Sequence, residues 1–160
     1  FNTITKKIDA VRRCTSEGYM CEKIAIEKLK HFVSKEAFNI EGFGKKIVEN
    51  FWKIKLVKLP QDIFKLDFEK IKYLEGWGRQ SVENLRYSIN QKKNISLERF
   101  IYSLGIRHIG LENAKLLSRY FKSFLKFKSL SEDNRYEELL NIDGIGDTQV
   151  NSIKNFYLTL

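Results

Sequence analysis

Glycine placement constrains this chain more than any other feature. Eight of its nine glycines fall in four short clusters. Ile40-Glu41-Gly42-Phe43-Gly44 runs into Lys45-Lys46-Ile47-Val48, Leu74-Glu75-Gly76-Trp77-Gly78 into Arg79-Gln80-Ser81-Val82, and Ile142-Asp143-Gly144-Ile145-Gly146 into Asp147-Thr148-Gln149-Val150. The fourth cluster is a variant, Ile106-Arg107-His108-Ile109-Gly110 followed by Leu111-Glu112-Asn113-Ala114, with His108 at the first glycine position and Gly105 just upstream. Aligned on the second glycine, the clusters sit at 44, 78, 110 and 146, a spacing of 32 to 36 residues that marks an internal repeat.

Each unit reads as a small apolar helix, a tight turn and a second helix. Ahead of the glycines apolar residues recur at helical spacing, as in Ile71 and Leu74 or Leu139 and Ile142. Four residues past the second glycine, Val48, Val82, Ala114 and Val150 hold a small apolar place that lets the second helix pack closely. The residue between the glycines (Phe43, Trp77, Ile109, Ile145) is expected to plug the joint from inside. The spacing predicts helices over Glu22–Val33, Lys45–Lys53, Arg79–Gln91, 96–104, 112–121 and 147–157, with Ser96 as a cap and Asn134 with Glu137 as a capping box before the last turn. Leu59-Pro60-Gln61-Asp62 reads as a linker between repeats. One proline in 160 residues, with 42% apolar residues, fits an all-α protein built from four tandem hairpins rather than a turn-rich sandwich.

The same turns carry a chemistry. A helix start leaves backbone N–H groups without intrahelical partners at the positive end of the helix dipole, and a bare glycine lets an anion approach them. Lys45, Lys46, Arg79 and Gln80 follow the first two turns and Arg107 and His108 flank the third, so each can add charge or a donor. Gly42, Gly44, Gly76, Gly78, Gly110, Gly144 and Gly146 complete the candidate anion-binding set. The fourth turn is followed by Asp147 in an acidic stretch, which leaves a packing role and an anion-binding role both open.

Charge points the same way. Twenty-nine Lys and Arg against twenty Asp and Glu give +9, and residues 1–128 carry +13 while residues 129–160 carry −4. That field favours a polyanion, either a nucleic acid or an anionic membrane surface, although a plainly solvated lysine-rich surface also satisfies it. No apolar run reaches the roughly 18 residues of a membrane span, and the first ten residues lack the apolar stretch of a secretory signal. Cys14 and Cys21 are the only cysteines; they read either as half of a four-cysteine zinc site or as two ordinary thiols in a reducing cytoplasm. His31 reads as a partly buried structural histidine, Trp52 and Trp77 as core plugs, and Lys92-Lys93 as a solvated helix end. No nucleophile with a matched base and no convincing pair of carboxylates is visible.

Tandem apolar-x-Gly-apolar-Gly turns resemble the helix-hairpin-helix motifs of DNA repair and replication proteins. Over nearly all of its length the chain resembles the C-terminal part of the bacterial NAD-dependent DNA ligases. Arg13-Cys14 with Cys21, Phe38-Asn39-Ile40-Glu41-Gly42-Phe43-Gly44, Asp62-Ile63-Phe64-Lys65-Leu66, and Arg99-Phe100-Ile101-Tyr102-Ser103-Leu104-Gly105-Ile106-Arg107 carry the likeness. The resemblance implies a zinc finger ahead of four helix-hairpin-helix motifs, with Cys14 and Cys21 as its second ligand pair and the first pair upstream of Phe1. Zinc is then expected in the parent protein and absent or weakly held here. It also implies a division into residues 1–33, part of a zinc finger and the following helix, and residues 34–160, a compact pseudo-symmetric hairpin domain. In that family, adenylylation from NAD takes place on a Lys-x-Asp-Gly motif that this sequence lacks, so the chain alone is expected to be non-catalytic.

The function that follows is non-sequence-specific binding of double-stranded, nicked DNA through its phosphates, beside the other domains of the same ligase, in the bacterial cytoplasm at the nucleoid and without a membrane. Two alternatives remain at this point. One is a helix-hairpin-helix scaffold of another repair protein. The other is a helical-repeat module that binds proteins, a fold with no reason to concentrate glycines in pairs.

Overall fold

The computed structural model describes the backbone of Thr3–Ile4 and Arg13–Cys14 and, in full, residues 21–159. Thr3–Ile4 (β1) and Arg13–Cys14 (β2) pair antiparallel, Thr3 with Cys14 and Ile4 with Arg13. Every other regular element among the described residues is helical. In order they are α1 (Glu22–Val33), α2 (Lys45–Lys53), a 3-10 helix (Pro60–Lys65), α3 (Phe68–Lys72), α4 (Arg79–Gln91), α5 (Leu97–Ser103), α6 (Leu111–Phe121), α7 (Phe124–Asp133), a second 3-10 helix (Tyr136–Asn141) and α8 (Asp147–Leu158). The all-α, helix-hairpin-helix architecture read from the glycine repeat is the one observed. Of the reading of residues 1–33 as part of a zinc finger and the following helix, Cys21 and α1 are described, and the side chains of residues 1–20 lie outside the described residues.

The chain divides into two compact units. One comprises Phe1–Lys35 and Asn39–Asn94, the other Glu36–Phe38 and Ile95–Leu160. Each holds two of the four turns. In the first unit Phe51 of α2 is fully buried, its ring 5.6 Å from Phe43 and 5.7 Å from Trp77. One side chain therefore touches the plugs of both turns, and ring pairs at such separations add to the area they bury. Val48, Ile63, Ile71, Val82, Leu85 and Ile89 complete much of that interior.

The second unit closes around Ile101, Ile109, Leu117, Phe127, Leu130, Leu139 and Ile153. Phe127 lies 5.6 Å from Phe121 and 5.8 Å from Tyr157. The Tyr157 hydroxyl donates to the Phe127 carbonyl at 2.9 Å. Burial, with Tyr136 beside it, pushes that phenol well above its ordinary range, so the donor keeps its proton. Residues 36–38 join this unit because Arg99 Nη1 donates to the Ala37 carbonyl at 3.0 Å and Phe100 packs edge-on to Phe38.

Three local readings are corrected. Leu59-Pro60-Gln61-Asp62 is no open linker. Asp62 Oδ2 accepts from the Lys58 and Leu59 amides at 3.0 and 2.9 Å, which starts the first 3-10 helix, and Ile63 behind it is fully buried. Asn134 does not open a capping box. It takes a left-handed conformation (φ 52) that ends α7, and its amide bonds the Leu130 carbonyl; asparagine tolerates that region better than most residues. Helix α7 itself was not anticipated. Lys122, also left-handed (φ 64), stops α6, and the Ser123 hydroxyl accepts the Lys126 amide to start a new helix that buries Phe127 and Leu130. Truncating Phe51 should remove the shared contact of both turns in the first unit. Phe51→Ala is expected to cost about 3–5 kcal/mol, read as a lowered denaturation midpoint in urea.

Candidate nucleic-acid interface

The four turns share one backbone geometry. The residue at the first glycine position is left-handed in each, with φ of 80 at Gly42, 82 at Gly76, 65 at His108 and 98 at Gly144. The second glycine is extended and caps the next helix: Gly44 for α2, Gly78 for α4, Gly110 for α6 and Gly146 for α8. The first helical hydrogen bond then runs from the amide of the small apolar residue back to that glycine, at 3.0 Å for Val48 and Ala114 and 3.1 Å for Val82 and Val150. These four residues are buried, as are the plugs Phe43, Ile109 and Ile145, whereas Trp77 is half-buried. Ahead of each small residue stand three amides with no carbonyl of their own helix to bond.

How those amides are treated separates these helices from their neighbours. Three helices that do not follow a turn, α3, α5 and α7, are capped by side chains, whereas α1 after Cys21 has no side-chain cap. Asp67 accepts from the Glu69 and Lys70 amides, Ser96 from Arg99, and Ser123 from Lys126. A glycine cap brings no side chain to the amides of α2, α4, α6 and α8. At Gly42, Gly44, Gly76, Gly78 and Gly110 no heavy atom lies within 4 Å of where a Cβ would stand. Gly44, Gly78 and Gly110 are also extended, so neither internal packing nor backbone strain demands glycine there. Open approach to bare amides is what those glycines provide.

Cations flank three of the turns. Lys45, Lys46, Arg79 and Gln80 are exposed on the first turns of α2 and α4, and Arg107 and His108 are exposed at the third hairpin. Lys45 reaches Glu49 at 3.9 Å, an exposed pair that holds the lysine weakly. Gln80 Nε2 donates to Asn84 Oδ1 at 2.9 Å, and Ser81 Oγ accepts the Gly78 amide at 2.9 Å. His108 is tied at both ends: Asn113 Nδ2 donates to its carbonyl and its Nδ1 lies 2.9 Å from Ser152 Oγ.

The fourth turn is built differently. Gln149 Oε1 accepts the Gly146 amide at 3.0 Å, as Ser81 Oγ accepts that of Gly78 in the second turn, so this bond alone does not set the fourth turn apart. A Cβ on Gly144 would stand 2.8 Å from Leu116 Cδ1, which gives that glycine a packing reason the others lack. Asp143 and Asp147 are both exposed beside it with no base between them. Geometry here serves the interior of the second unit. Of the other singled-out residues, His31 is half-buried as read, and Trp52 is half-buried like Trp77, with the Lys58 ammonium 3.5 Å from its ring centroid. Cys21 is buried at the start of α1, while the side chain of Cys14 lies outside the described residues. The sequence reading missed Gln149, Ser152 and Asn113. Only Gln149 had a local signal, since a Gln at the third position of a helix commonly reaches back to the cap amide.

The difference between the turns is measurable as stability. Gly110→Ala should leave the thermal midpoint nearly unchanged, because Ala fits the extended backbone and open space. Gly144→Ala should lower stability by about 1–2 kcal/mol, since it forces a left-handed alanine against Leu116.

Comparison with known proteins gives this arrangement a context. Residues 99–159, which hold the third and fourth turns, match the helix-hairpin-helix motif family. The whole chain aligns with curated proteins named DNA ligase. It is 69% identical over 158 residues to that of Pelagibacter ubique, covering 99% of this chain and 23% of the relative. It is 42% identical over 168 residues to that of Parvibaculum lavamentivorans (98% and 24%) and 43% identical over 163 residues to that of Rickettsia canadensis (94% and 23%). The chain thus spans about a quarter of the length of the curated relatives it matches. The likeness read from its glycine turns holds: along almost its whole length this chain is similar to a segment of proteins named DNA ligase, and residues 99–159 of its second unit match the helix-hairpin-helix motif.

Proposed function

We propose that this chain binds double-stranded DNA through its phosphates, without reading base sequence, as the helix-hairpin-helix part of an NAD-dependent DNA ligase acting on nicks in replication and repair. The observation that carries the reading is the contrast in capping. Three hairpins present bare amides under open glycines, beside exposed Lys45, Lys46, Arg79, Gln80, Arg107 and His108, while α3, α5 and α7 satisfy the same amides with their own Asp or Ser. A phosphate oxygen is the acceptor such a set suits, because it is anionic, compact and recurs along either strand. Gly42, Gly44, Gly76, Gly78 and Gly110 supply the approach; the cations supply the field.

Gly144 and Gly146 take a lesser part, since the two exposed aspartates work against an anion there and Gly144 already has a packing role against Leu116. Backbone donors do not distinguish bases, so specificity for a nick belongs to the rest of the ligase, as does the chemistry with NAD. Cys14 and Cys21 are proposed as half of the zinc site of that parent protein, with residues 34–160 as its hairpin domain. The protein-binding alternative gains no comparable observation. No described helix is long and apolar enough to cross a membrane. A cytoplasmic place at the nucleoid is part of the same proposal.

Fluorescence anisotropy of a nicked duplex, titrated with the chain at several salt concentrations, tests the reading. Four or more phosphate contacts predict a slope of log affinity against log salt of about −3.6 or steeper, at roughly 0.9 per contact. The triple variant Gly44→Ala/Gly78→Ala/Gly110→Ala places a methyl over three amide sites whose backbone already suits alanine. It should keep the helical circular dichroism and lose at least tenfold in affinity. Unchanged binding by the folded triple variant would sink the proposal.

A further inference from the structure

His108 stands where the other three turns have glycine, and it accepts the left-handed backbone (φ 65) that glycine otherwise relieves. A β-carbon in that region costs about 1–2 kcal/mol, and two side chains hold it in place. Asn113 Nδ2 donates to the His108 carbonyl at 2.9 Å from the first turn of α6. Ser152 Oγ lies 2.9 Å from His108 Nδ1, and it belongs to α8, the helix after the fourth turn.

Ser152 also departs from the habit of its neighbours. Ser103, Ser129 and Ser131 spend their hydroxyl protons on carbonyls three residues back. The partner the structure gives Ser152 is His108, 44 residues away. Of the two neutral tautomers, only one gives the serine proton a protein acceptor. If the hydroxyl donates to Nδ1, the ring proton sits on Nε2 and both hydrogens of the pair have a place. Nε2 of this exposed side chain is then a donor, on a residue that follows Arg107 and stands two positions before Gly110, the cap of α6.

Resting on the DNA reading above, we propose that Ser152 is a positioning residue. It fixes the imidazole of His108 in the Nε2–H tautomer, so that the third turn adds a side-chain hydrogen bond to a DNA phosphate from the position where the other turns have a bare glycine. The fourth hairpin thereby contributes to binding indirectly: its field is acidic, but its helix carries the hydroxyl that aims His108. This explains why a strained histidine occupies a glycine position, and why only the third turn has one.

The test uses this chain at pH 8, with a nicked duplex in anisotropy titrations and ¹⁵N chemical shifts of the His108 ring. His108→Gly restores the residue of the other turns and suits the backbone, so it should fold at least as well as the parent. Affinity is expected to fall about three- to tenfold, as for loss of one hydrogen bond, with the salt slope unchanged because a neutral donor releases no counterion. Ser152→Ala should keep the fold, move the ring shifts from a single Nε2–H tautomer towards a mixture, and weaken binding less than His108→Gly does. Equal affinity of His108→Gly and the parent overturns the phosphate contact, and unchanged ring shifts in Ser152→Ala overturn the positioning role. If the parent chain fails to bind DNA at all while the ring shifts show the expected tautomer, the DNA reading has failed and takes the contact with it, a result distinct from both.

Discussion

A left-handed residue at the head of each turn is the constraint on which the rest of this structure depends. Gly42, Gly76, His108 and Gly144 each reverse the chain in a step that most side chains resist. Once that step is taken, three consequences follow in fixed order. The next residue turns inward and becomes a plug, the following glycine extends and caps a helix, and the helix makes its first hydrogen bond from a small buried residue four places on. A single backbone choice therefore sets both the interior and the row of unpaired amides on the surface. Helix-forming and apolar residues alone would produce helices of this length without joining them so tightly.

Shared geometry does not imply shared chemistry. The third and fourth turns both lie in the second unit and both hold a left-handed residue beside a buried isoleucine. Around Gly110 the space is open, whereas around Gly144 it is filled by Leu116, and Gln149 takes the amide that Gly110 leaves free. Two exposed aspartates then set the sign of the local field. The motif fixes where amides point, and neighbouring side chains decide whether an anion reaches them.

Much of this was legible from the amino-acid order because the informative signals are local. Helices α1, α2 and α4 have the bounds expected from spacing, α6 and α8 differ by a residue at one end and α5 by a residue at each end, and for all but α1 a glycine or serine cap marks where helical hydrogen bonding begins. The failures lie where a boundary depends on a conformation that side-chain identity specifies weakly. Lys122 and Asn134 both turn left-handed, and this inserts α7 and displaces the expected capping box. Asp62 converts an apparent linker into a 3-10 helix by accepting two amides. Long-range ties left no trace: Arg99 binds the carbonyl of Ala37 across 62 positions and Ser152 meets His108 across 44. The glycines and cations of the interface were visible, and the side chains that tune them were not.

On the proposed reading, using backbone amides as the binding groups lets the four turns differ in side chain while keeping one backbone geometry. An amide is supplied by any residue, so the position between the glycines was free to serve the interior as Phe43, Trp77, Ile109 or Ile145. Residues just outside the glycines were free to set the charge, from two lysines after the first turn to an aspartate after the fourth. On the proposed reading, affinity is then adjusted by field and approach rather than by contact chemistry, and a hairpin is converted from ligand to scaffold by a few surface substitutions. Sequence-independent attachment to DNA needs no more than this, because phosphate is the one group every step of the duplex presents.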